Sequence, residues 1–399
     1  MKLQVAIMFG GMSCEHEISI ISANQAMNAL DTEKYELIPV YISKQQYLYT
    51  GELLKELKNY SDLDEVVKRA SQVTFVRSEE GIFLKSTETN PLKFVNKKID
   101  VVIPVVHGTN SEDGVLQGYL EMLQIPYAGC DIAAAAMGQD KVFQKACLAH
   151  NGISVSPSFW VYASQFDDNK EHHFKKAEKI GYPLIVKPAN LGSSIGIQVA
   201  HNPDELVEVI EEAGQYDDKL LIEKVIEDLT EINCSVLGSV DDLQVSVLER
   251  VLKNDEILSF SDKYLGSSSS KGSKSKLPSK GASKSGSKGM ASTTRVVPAD
   301  INDKLTKKIQ QMAKETFMTL GLSGVCRIDF MIDNTTGKVY VNEVNTIPGS
   351  LAFYLWAETG ISFDSLMDHL IKNAIDKQRK KSKKIYTFDT NILQSYSNS

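Results

Sequence analysis

The sequence is short of cysteine, and the few it has form no pattern. Five occur in 399 residues, at positions 14, 130, 147, 234 and 326, widely scattered and with no C-x-x-C spacing. That sets aside a disulfide framework and a thiolate zinc site, so reduced thiols in a cytoplasmic protein are expected. Nor is there any run of about 18 apolar residues, so no bilayer-spanning helix is expected, and the N-terminus enters an apolar strand rather than a leader. Positive charge is not in excess: 44 Lys and Arg stand against 51 Asp and Glu, a net charge of −7. Such a chain is expected to bind neither nucleic acid nor a membrane surface. What remains is an ordinary globular composition, with 42% apolar residues, long enough for two or three domains.

The most informative stretch is 326–349, CRIDFMIDNTTGKVYVNEVNTIPG. Residues 327–332 read as a strand, 334–337 as a turn and 338–344 as a second strand, together a hairpin. Arg327 and Asp329 are spaced by two, as are Glu343 and Asn345, so each pair shares a sheet face and strand pairing brings all four together. Three oxygen donors beside an arginine suit a hard cation and can also hold a phosphate. A surface hairpin with ordinary polar alternation would read the same.

From the N-terminus, a strand over 3–9, the turn Gly10-Gly11 and a helix over 17–30 make a place where backbone amides can meet an anion. Glu15 at that turn could bind a substrate ammonium, or together with Glu17 simply favour the helix dipole. A second strand is expected over 35–42. Residues 43–98 read as polar and irregular, with short strands at 73–76 and 82–84. A buried strand over 99–106 ends in His107-Gly-Thr-Asn-Ser-Glu-Asp-Gly114, where α/β folds place binding loops. A helix follows Asp140-Lys141, and a strand covers 157–163. The run PLIVKPANLGSSIGIQV over 183–199 puts a Gly/Ser loop between two strands with Lys187 on the first. It suits a flap over nucleotide phosphates and lacks the G-x-x-x-x-G-K-[ST] pattern of a P-loop. Asn202 and Pro203 open a helix to 213. Strands at 220–225 and 231–237, helices at 305–320 and 362–375, and a solvated basic run at 379–384 complete the reading. Residues 266–289 are almost entirely Ser, Lys and Gly, which cannot form a core.

The motifs GGMSCEHEIS, HGTNSEDGVLQGYLEMLQIPYAG, QDK, IVKPANLGSSIG, IEK followed by Glu231, RIDF and NEVNTIPG occur in this order. By them the chain resembles the D-alanine–D-alanine ligases of the ATP-grasp superfamily, over roughly residues 3–375. The resemblance implies an α/β (α+β) three-domain fold: a Rossmann-like domain over 1–129 and two sheet domains, 130–223 and 224–375, gripping ATP, with 376–399 as a basic tail. It implies that Lys141 and Lys187 contact the ATP phosphates, Glu223 the adenine amino group, the backbone of Lys224 and Ile226 the base, and Glu231 the ribose. Asp329, Glu343 and Asn345 would hold two Mg²⁺ ions, with Mn²⁺ as an alternative. Glu15 would bind the ammonium of the first D-alanine beside His107, with Ser193 and Tyr264 latching towards it and Lys263 near the substrate. Arg327 and the Gly349 amide would face the oxyanion. The expected reaction joins D-alanine or a similar amino acid to a second one through an acyl phosphate, in a cytoplasmic homodimer.

Two departures concern the second substrate. The loop after Lys263-Tyr264, short in the family, is extended here by the Lys/Ser/Gly insertion before Pro298-Ala299. The family's Ser-His-Ser-Leu after Pro-Gly, whose serine binds the acceptor carboxylate, is replaced by Ser350-Leu-Ala-Phe-Tyr354. Counted forward, Tyr354 takes the serine's place; counted back from Gly360, Ser350 does. A different acceptor, such as another D-amino acid or a 2-hydroxy acid, is therefore the alternative, and a non-catalytic nucleotide-binding relative is a further one.

Overall fold

The computed structural model describes residues 2–252, 295–388, 390–393 and 396. Lys263, Tyr264 and the insertion 266–289, together with the latch assigned to them, lie outside the described residues. The described strands form three sheets.

The first sheet has seven strands: β1 (Leu3–Gly10), β2 (Tyr35–Ile42), β3 (Leu48–Thr50), β4 (Ser71–Ser78), β5 (Gly81–Ser86), β6 (Asn96–Ile99) and β7 (Val101–Pro104), in the order β6-β5-β4-β3-β2-β1-β7. Only β1, β2 and β7 run parallel. β1 is buried on both faces, as a central parallel strand must be. Val5, Ile7 and Phe9 pack into one core cluster, while Ala6 and Met8 pack into another. The expected single strand over 99–106 is broken at Asp100, whose carboxylate accepts from the Gln4 N–H at 2.9 Å. Its two halves therefore serve different neighbours, β6 pairing with β5 and β7 with β1. The region 43–98 is also more ordered than expected, because Val73, Phe75 and Leu84 alternate inward and give β4 and β5 a buried face.

The second sheet is antiparallel with four strands: β8 (Ser158–Tyr162), β9 (Leu184–Pro188), β10 (Gln198–Ala200) and β11 (Lys219–Lys224), in the order β10-β9-β11-β8. The third, also antiparallel, has five: β12 (Leu229–Ser239), β13 (Asp242–Val251), β14 (Arg295–Val296), β15 (Gly324–Asp333) and β16 (Val339–Asn345), in the order β14-β13-β12-β15-β16.

Helix α1 (His16–Ala29) follows β1, and α2 (Leu63–Arg69) and α3 (Val115–Leu123) flank the first sheet. Next come α4 (Ile132–Gln139), α5 (Lys141–His150), capped by Asp140, and α6 (Lys170–Ile180). Helix α7 (Pro203–Ala213) starts where the sequence indicates: the Asn202 side chain accepts from Glu205 N–H, and Leu206, Val209, Ile210 and Ala213 form its buried stripe. Helix α8 (Asp303–Thr319) covers the third sheet, and α9 (Phe353–Glu358) follows β16.

The last helix, α10 (Phe363–Lys381), runs about one and a half turns beyond its expected end. The reason is partners for its last turns: Lys377 pairs with Asp131 at 2.9 Å, and Lys381 reaches Glu121 and Asp131. The basic run is thus partly anchored rather than wholly solvated. Leu366, Met367, Leu370 and Ile371 of α10 share a core cluster with Val5, Ile7 and Phe9, so the end of the chain closes over its beginning.

Candidate active site

The hairpin read from the sequence is β15–β16. Its register sets Arg327 opposite Asn345 and Asp329 opposite Glu343, with a bulge immediately after Asp329. The same row continues across the sheet, since Asp329 lies opposite Asn233 on β12, and Asn233 opposite Glu249 on β13. Directly opposed residues stand about 5 Å apart at Cβ. Four strands therefore line up Glu249, Asn233, Asp329 and Glu343 in one row.

Arg327 holds Asp329 in a two-pronged pair, Nε to Oδ1 at 2.7 Å and NH2 to Oδ2 at 2.8 Å, and Asn345 donates to the same carboxylate at 3.0 Å. Burial pushes the Asp329 carboxyl up; Arg327 counters this, and the carboxylates of Glu343 and Glu249 add to the rise. Such crowding of buried negative charge is what a hard cation relieves, and two carboxylates plus an amide oxygen are the donors it prefers. Among the described residues no three His, Cys, Asp or Glu side chains are grouped closely enough to hold a metal.

This row faces a cleft of about 340 Å³, whose opposite wall is the four-stranded sheet. On that wall Glu223 is 1% exposed and is held by Lys145 at 2.7 Å, Lys187 at 2.5 Å and Ser156 Oγ at 2.7 Å. Burial pushes the Glu223 carboxyl up, but the two ammonium groups more than reverse this and hold it far below the usual range. Lys187 also donates to Asn342 on β16 at 3.2 Å, so the two walls touch here. Lys141, at the first position of α5, donates to the carbonyl of Leu191 at 2.6 Å, and burial lowers its pKa. The Lys224 ammonium donates to the carbonyls of Gly181 and Tyr182, and Lys224 and Ile226 both line the cleft.

At the far end, Glu15 makes no helix-capping bond with its side chain. Its carboxylate instead accepts from the Ser193 hydroxyl, which arrives from the Gly/Ser loop of the second sheet. Glu17 points outward and pairs with Lys44 at 2.8 Å. His107 is buried, which lowers its pKa, and it bridges the carbonyl of Ile347 (Nδ1, 2.9 Å) and the hydroxyl of Ser22 (Nε2, 3.1 Å). The Ile347 N–H donates to Glu112 at 3.0 Å, so residues 107 and 112 grip both sides of the segment leading to Gly349.

The cleft thus collects Glu15, His107, Lys141, Lys187, Ser193, Glu223, Lys224, Ile226, Glu231, Arg327, Asp329, Glu343, Asn345, Gly349 and Tyr354. Ser350 is not among its lining residues: it is 4% exposed and its N–H donates to Ser22 Oγ at 3.0 Å. Ser350, Leu351 and Ala352 follow one another with φ of 53°, 52° and 50°. That left-handed turn carries the chain past Ser350 and delivers Tyr354 to the cleft.

Sequence reading missed Lys145, Glu112, Asn233, Glu249 and Arg295, which also border this site. β13 had a partial signal, since DLQVSV over 242–247 alternates polar and apolar residues like a half-buried strand, but the alternation breaks at Leu248, just before Glu249. Lys145 had none: a lysine in a helical pattern looks like any solvated residue.

Two family models match the chain, "D-ala D-ala ligase N-terminus" over residues 4–130 and "D-ala D-ala ligase C-terminus" over 147–288 and 283–372. The second match is split within the Lys/Ser/Gly run. The D-alanine–D-alanine ligase of Thermosipho melanesiensis is 38% identical over 98% of this chain and 98% of its own length. Among solved structures, the D-alanine–D-alanine ligase from Coxiella burnetii superimposes with a TM-score of 0.75 at 27% identity, covering 100% of this chain and 98% of its own. The VanG D-Ala:D-Ser ligase from Enterococcus faecalis gives 0.75 at 29% identity, covering 94% and 100%. The chain belongs to the D-alanine–D-alanine ligase family, and its three sheets have the ATP-grasp architecture of that family.

Proposed function

We propose that the cleft joins two D-alanines in two half-reactions that its residues divide between them. Joining D-alanine to D-alanine at the expense of ATP is the activity of the family, with ATP and a divalent metal as its requirements. The observation that carries the residue-level reading is that one cleft sets Lys141 and Lys187 on one wall against Asp329, Glu343 and Asn345 on the other.

A carboxylate does not condense with an amine at neutral pH. The donor carboxylate therefore attacks the γ-phosphorus of ATP, ADP leaves, and an acyl phosphate results. Glu15, fixed by Ser193, holds the donor ammonium. Lys141 and Lys187 offset the phosphate charge, while Glu223, the backbone of Lys224 and Ile226, and Glu231 hold the nucleoside. Asp329, Glu343 and Asn345 would hold the metal, which would supply positive charge to offset that of the phosphoryl oxygens. The acceptor amine then attacks the acyl carbon. Arg327, locked in orientation by Asp329, and the Gly349 N–H stabilise the oxyanion; phosphate departs and the amine loses a proton. Two Mg²⁺ or Mn²⁺ ions, a cytoplasmic location and a homodimeric state join this reading through family likeness. Among the described residues, no helix is long and apolar enough to cross a membrane.

The test is ADP and phosphate release that depends on D-alanine, with the dipeptide identified by mass spectrometry. In the same assay Glu343→Gln removes most turnover while the melting temperature without nucleotide holds, because a charged ligand is lost and the hairpin packing is not. Near-parental turnover at saturating Mg²⁺ would refute the metal assignment. A second reading, the same chemistry with another acceptor, is favoured by one observation: Tyr354 rather than a serine lines the acceptor end. A mass-spectrometric screen of amine acceptors with D-alanine as donor separates the two.

A further inference from the structure

Glu223 is held by groups of two kinds. Lys187 lines the cleft beside it, whereas Lys145 and Ser156 are not among the lining residues and stand behind it. Lys145 Nζ meets Glu223 Oε1 at 2.7 Å, and Ser156 Oγ donates to the same oxygen at 2.7 Å. Lys187 Nζ meets the other oxygen, Oε2, at 2.5 Å. One oxygen is thus held from the interior and the other from the cleft side. None of the roles assigned above uses Lys145.

The local structure explains how Lys145 comes to be there. Lys141 and Lys145 both belong to α5 and are four residues apart, so they share a face of the helix. Lys141 turns to the Leu191 carbonyl of the Gly/Ser loop, and Lys145 to Glu223. Lys145 is 3% exposed and has two further oxygens near its nitrogen, Ser156 Oγ and the Val341 carbonyl, each at 3.4 Å. Val341 is fixed in turn, since its N–H donates to the Ser154 carbonyl at 2.9 Å. Helix α5, the segment 154–156, β11 and β16 therefore meet at this one ammonium. Burial pushes the Glu223 carboxyl up, and Lys145 opposes this more strongly than Lys187 does.

Lys187 has other work. Under the nucleotide reading it faces the phosphates, and it already donates to Asn342 as well as to Glu223. Whatever it gives to a phosphate it withdraws from Oε2, the oxygen on the cleft side. A carboxylate as buried as this one, left with no counter-charge, would take up a proton. Adenine offers an amino donor at its 6-position, whereas a 6-oxopurine offers an acceptor. An ionised carboxylate can pair only with the first, but a protonated one can also donate to the second.

We propose that Lys145 is the standing counter-charge of Glu223: it fixes that side chain as an acceptor while Lys187 serves the phosphates, and so sets the preference for a 6-aminopurine over a 6-oxopurine nucleotide. This rests on the proposed reading of Glu223 as the contact for the adenine amino group. Lys145 is a positioning residue, because Glu223 stands between it and the nucleotide, and Ser156 assists it.

The test compares ATP with inosine triphosphate, whose base has a 6-oxo group in place of the amino group. D-Alanine-dependent phosphate release gives kcat/KM for each, and the parental enzyme prefers ATP. In Lys145→Met the ATP-to-ITP ratio falls about 10- to 100-fold, the range for a hydrogen bond to a charged group, chiefly through a raised KM for ATP. Lys145→Arg keeps the charge and most of the ratio, which a loss of packing alone would not do. Ser156→Ala removes the other bond to Oε1 and little volume; it gives a smaller fall and serves if the methionine variant does not fold. Equal losses on both nucleotides in Lys145→Met, or an unchanged ratio there (or in Ser156→Ala, if only that variant folds), overturn the proposal. Glu223→Gln separates the two readings, because its amide can donate to a 6-oxo group. If Glu223→Gln lowers the ratio and Lys145→Met does not, the role of Lys145 fails and the base contact stands. If Glu223→Gln leaves the ratio unchanged, or the parental enzyme uses both nucleotides equally, the base contact fails and the role of Lys145 with it.

Discussion

Glu112 is a buried carboxyl gripped by two peptide N–H groups, Gly108 at 2.8 Å and Ile347 at 3.0 Å. Burial, aided by the nearby charge of Glu15, outweighs those bonds and pushes it up to about 8. A carboxyl with a pKa of about 8 when folded and an ordinary value of 4.5 when unfolded binds its proton more tightly in the native state. Its contribution is therefore fullest below the unfolded value and is lost as pH rises through 8. Glu112→Gln starts from lower stability, because an amide N–H must face one of the two donors, but it has no such slope. The parental melting temperature should fall towards that of the variant between pH 5 and pH 8; parallel curves would show that Glu112 does not titrate in this range. At this scale placement is legible where it follows spacing, as in the convergence of Arg327, Asp329, Glu343 and Asn345 on paired strands. Sequence reading left Ser350 and Tyr354 as alternatives, because no count of residues reveals the left-handed turn at 350–352 that separates them.

The same contrast holds for whole elements. The β15–β16 hairpin is legible because a turn cluster separates two runs of period two, and α7 because its cap, proline and apolar stripe agree. β13 escaped notice because its alternation breaks at Leu248, and with it went Glu249 and the continuation of the polar row. The end of α10 was misplaced because a run of lysines looks solvated until acidic partners from residues 121 and 131 are set beside it. Two of those lysines should behave oppositely when replaced. Lys377 is largely covered, pairs with Asp131 and donates to the Gly129 carbonyl at 2.8 Å, with the Tyr127 ring centroid 4.1 Å from its nitrogen. Lys377→Met should lower stability by about 1.5–3 kcal/mol in urea titration, the range for hydrogen bonds to charged groups. Lys380 pairs with Asp241 at 2.6 Å but both are mostly exposed, so Lys380→Ala should change stability by no more than about 0.5 kcal/mol. Equal effects would mean that the anchoring of α10 lies elsewhere.

Across the whole molecule, the three sheets are joined at polar contacts that are also the site. Ser193 reaches from the second sheet to Glu15 beside the first; His107 and Glu112 hold Ile347 beyond the third; Lys187 touches Asn342 across the cleft. The order of the motifs made the architecture readable from the sequence, whereas these long-range bonds depend on how sheets face one another, which no local pattern encodes. Glu223 is the most heavily used of them. Glu223→Gln leaves Lys145 and Lys187 buried without their counter-charge and should cost roughly 3–5 kcal/mol of stability. A non-hydrolysable ATP analogue with Mg²⁺ should restore a good part of it, as seen in thermal melts. A variant that melts like the parent would mean that the lysines find other partners.

That pairing makes the cleft an ion exchanger loaded with its own counter-ion. Chloride offers Lys145 and Lys187 no more charge than the carboxylate they already hold at 2.7 and 2.5 Å, and must first give up its own hydration. A polyanion that brings several charges, and leaves Glu223 a hydrogen-bond donor on its other end, can exchange into the site at little electrostatic loss. A singly charged ion such as chloride therefore competes first with the protein's own carboxylate, before any contact with a purine is made.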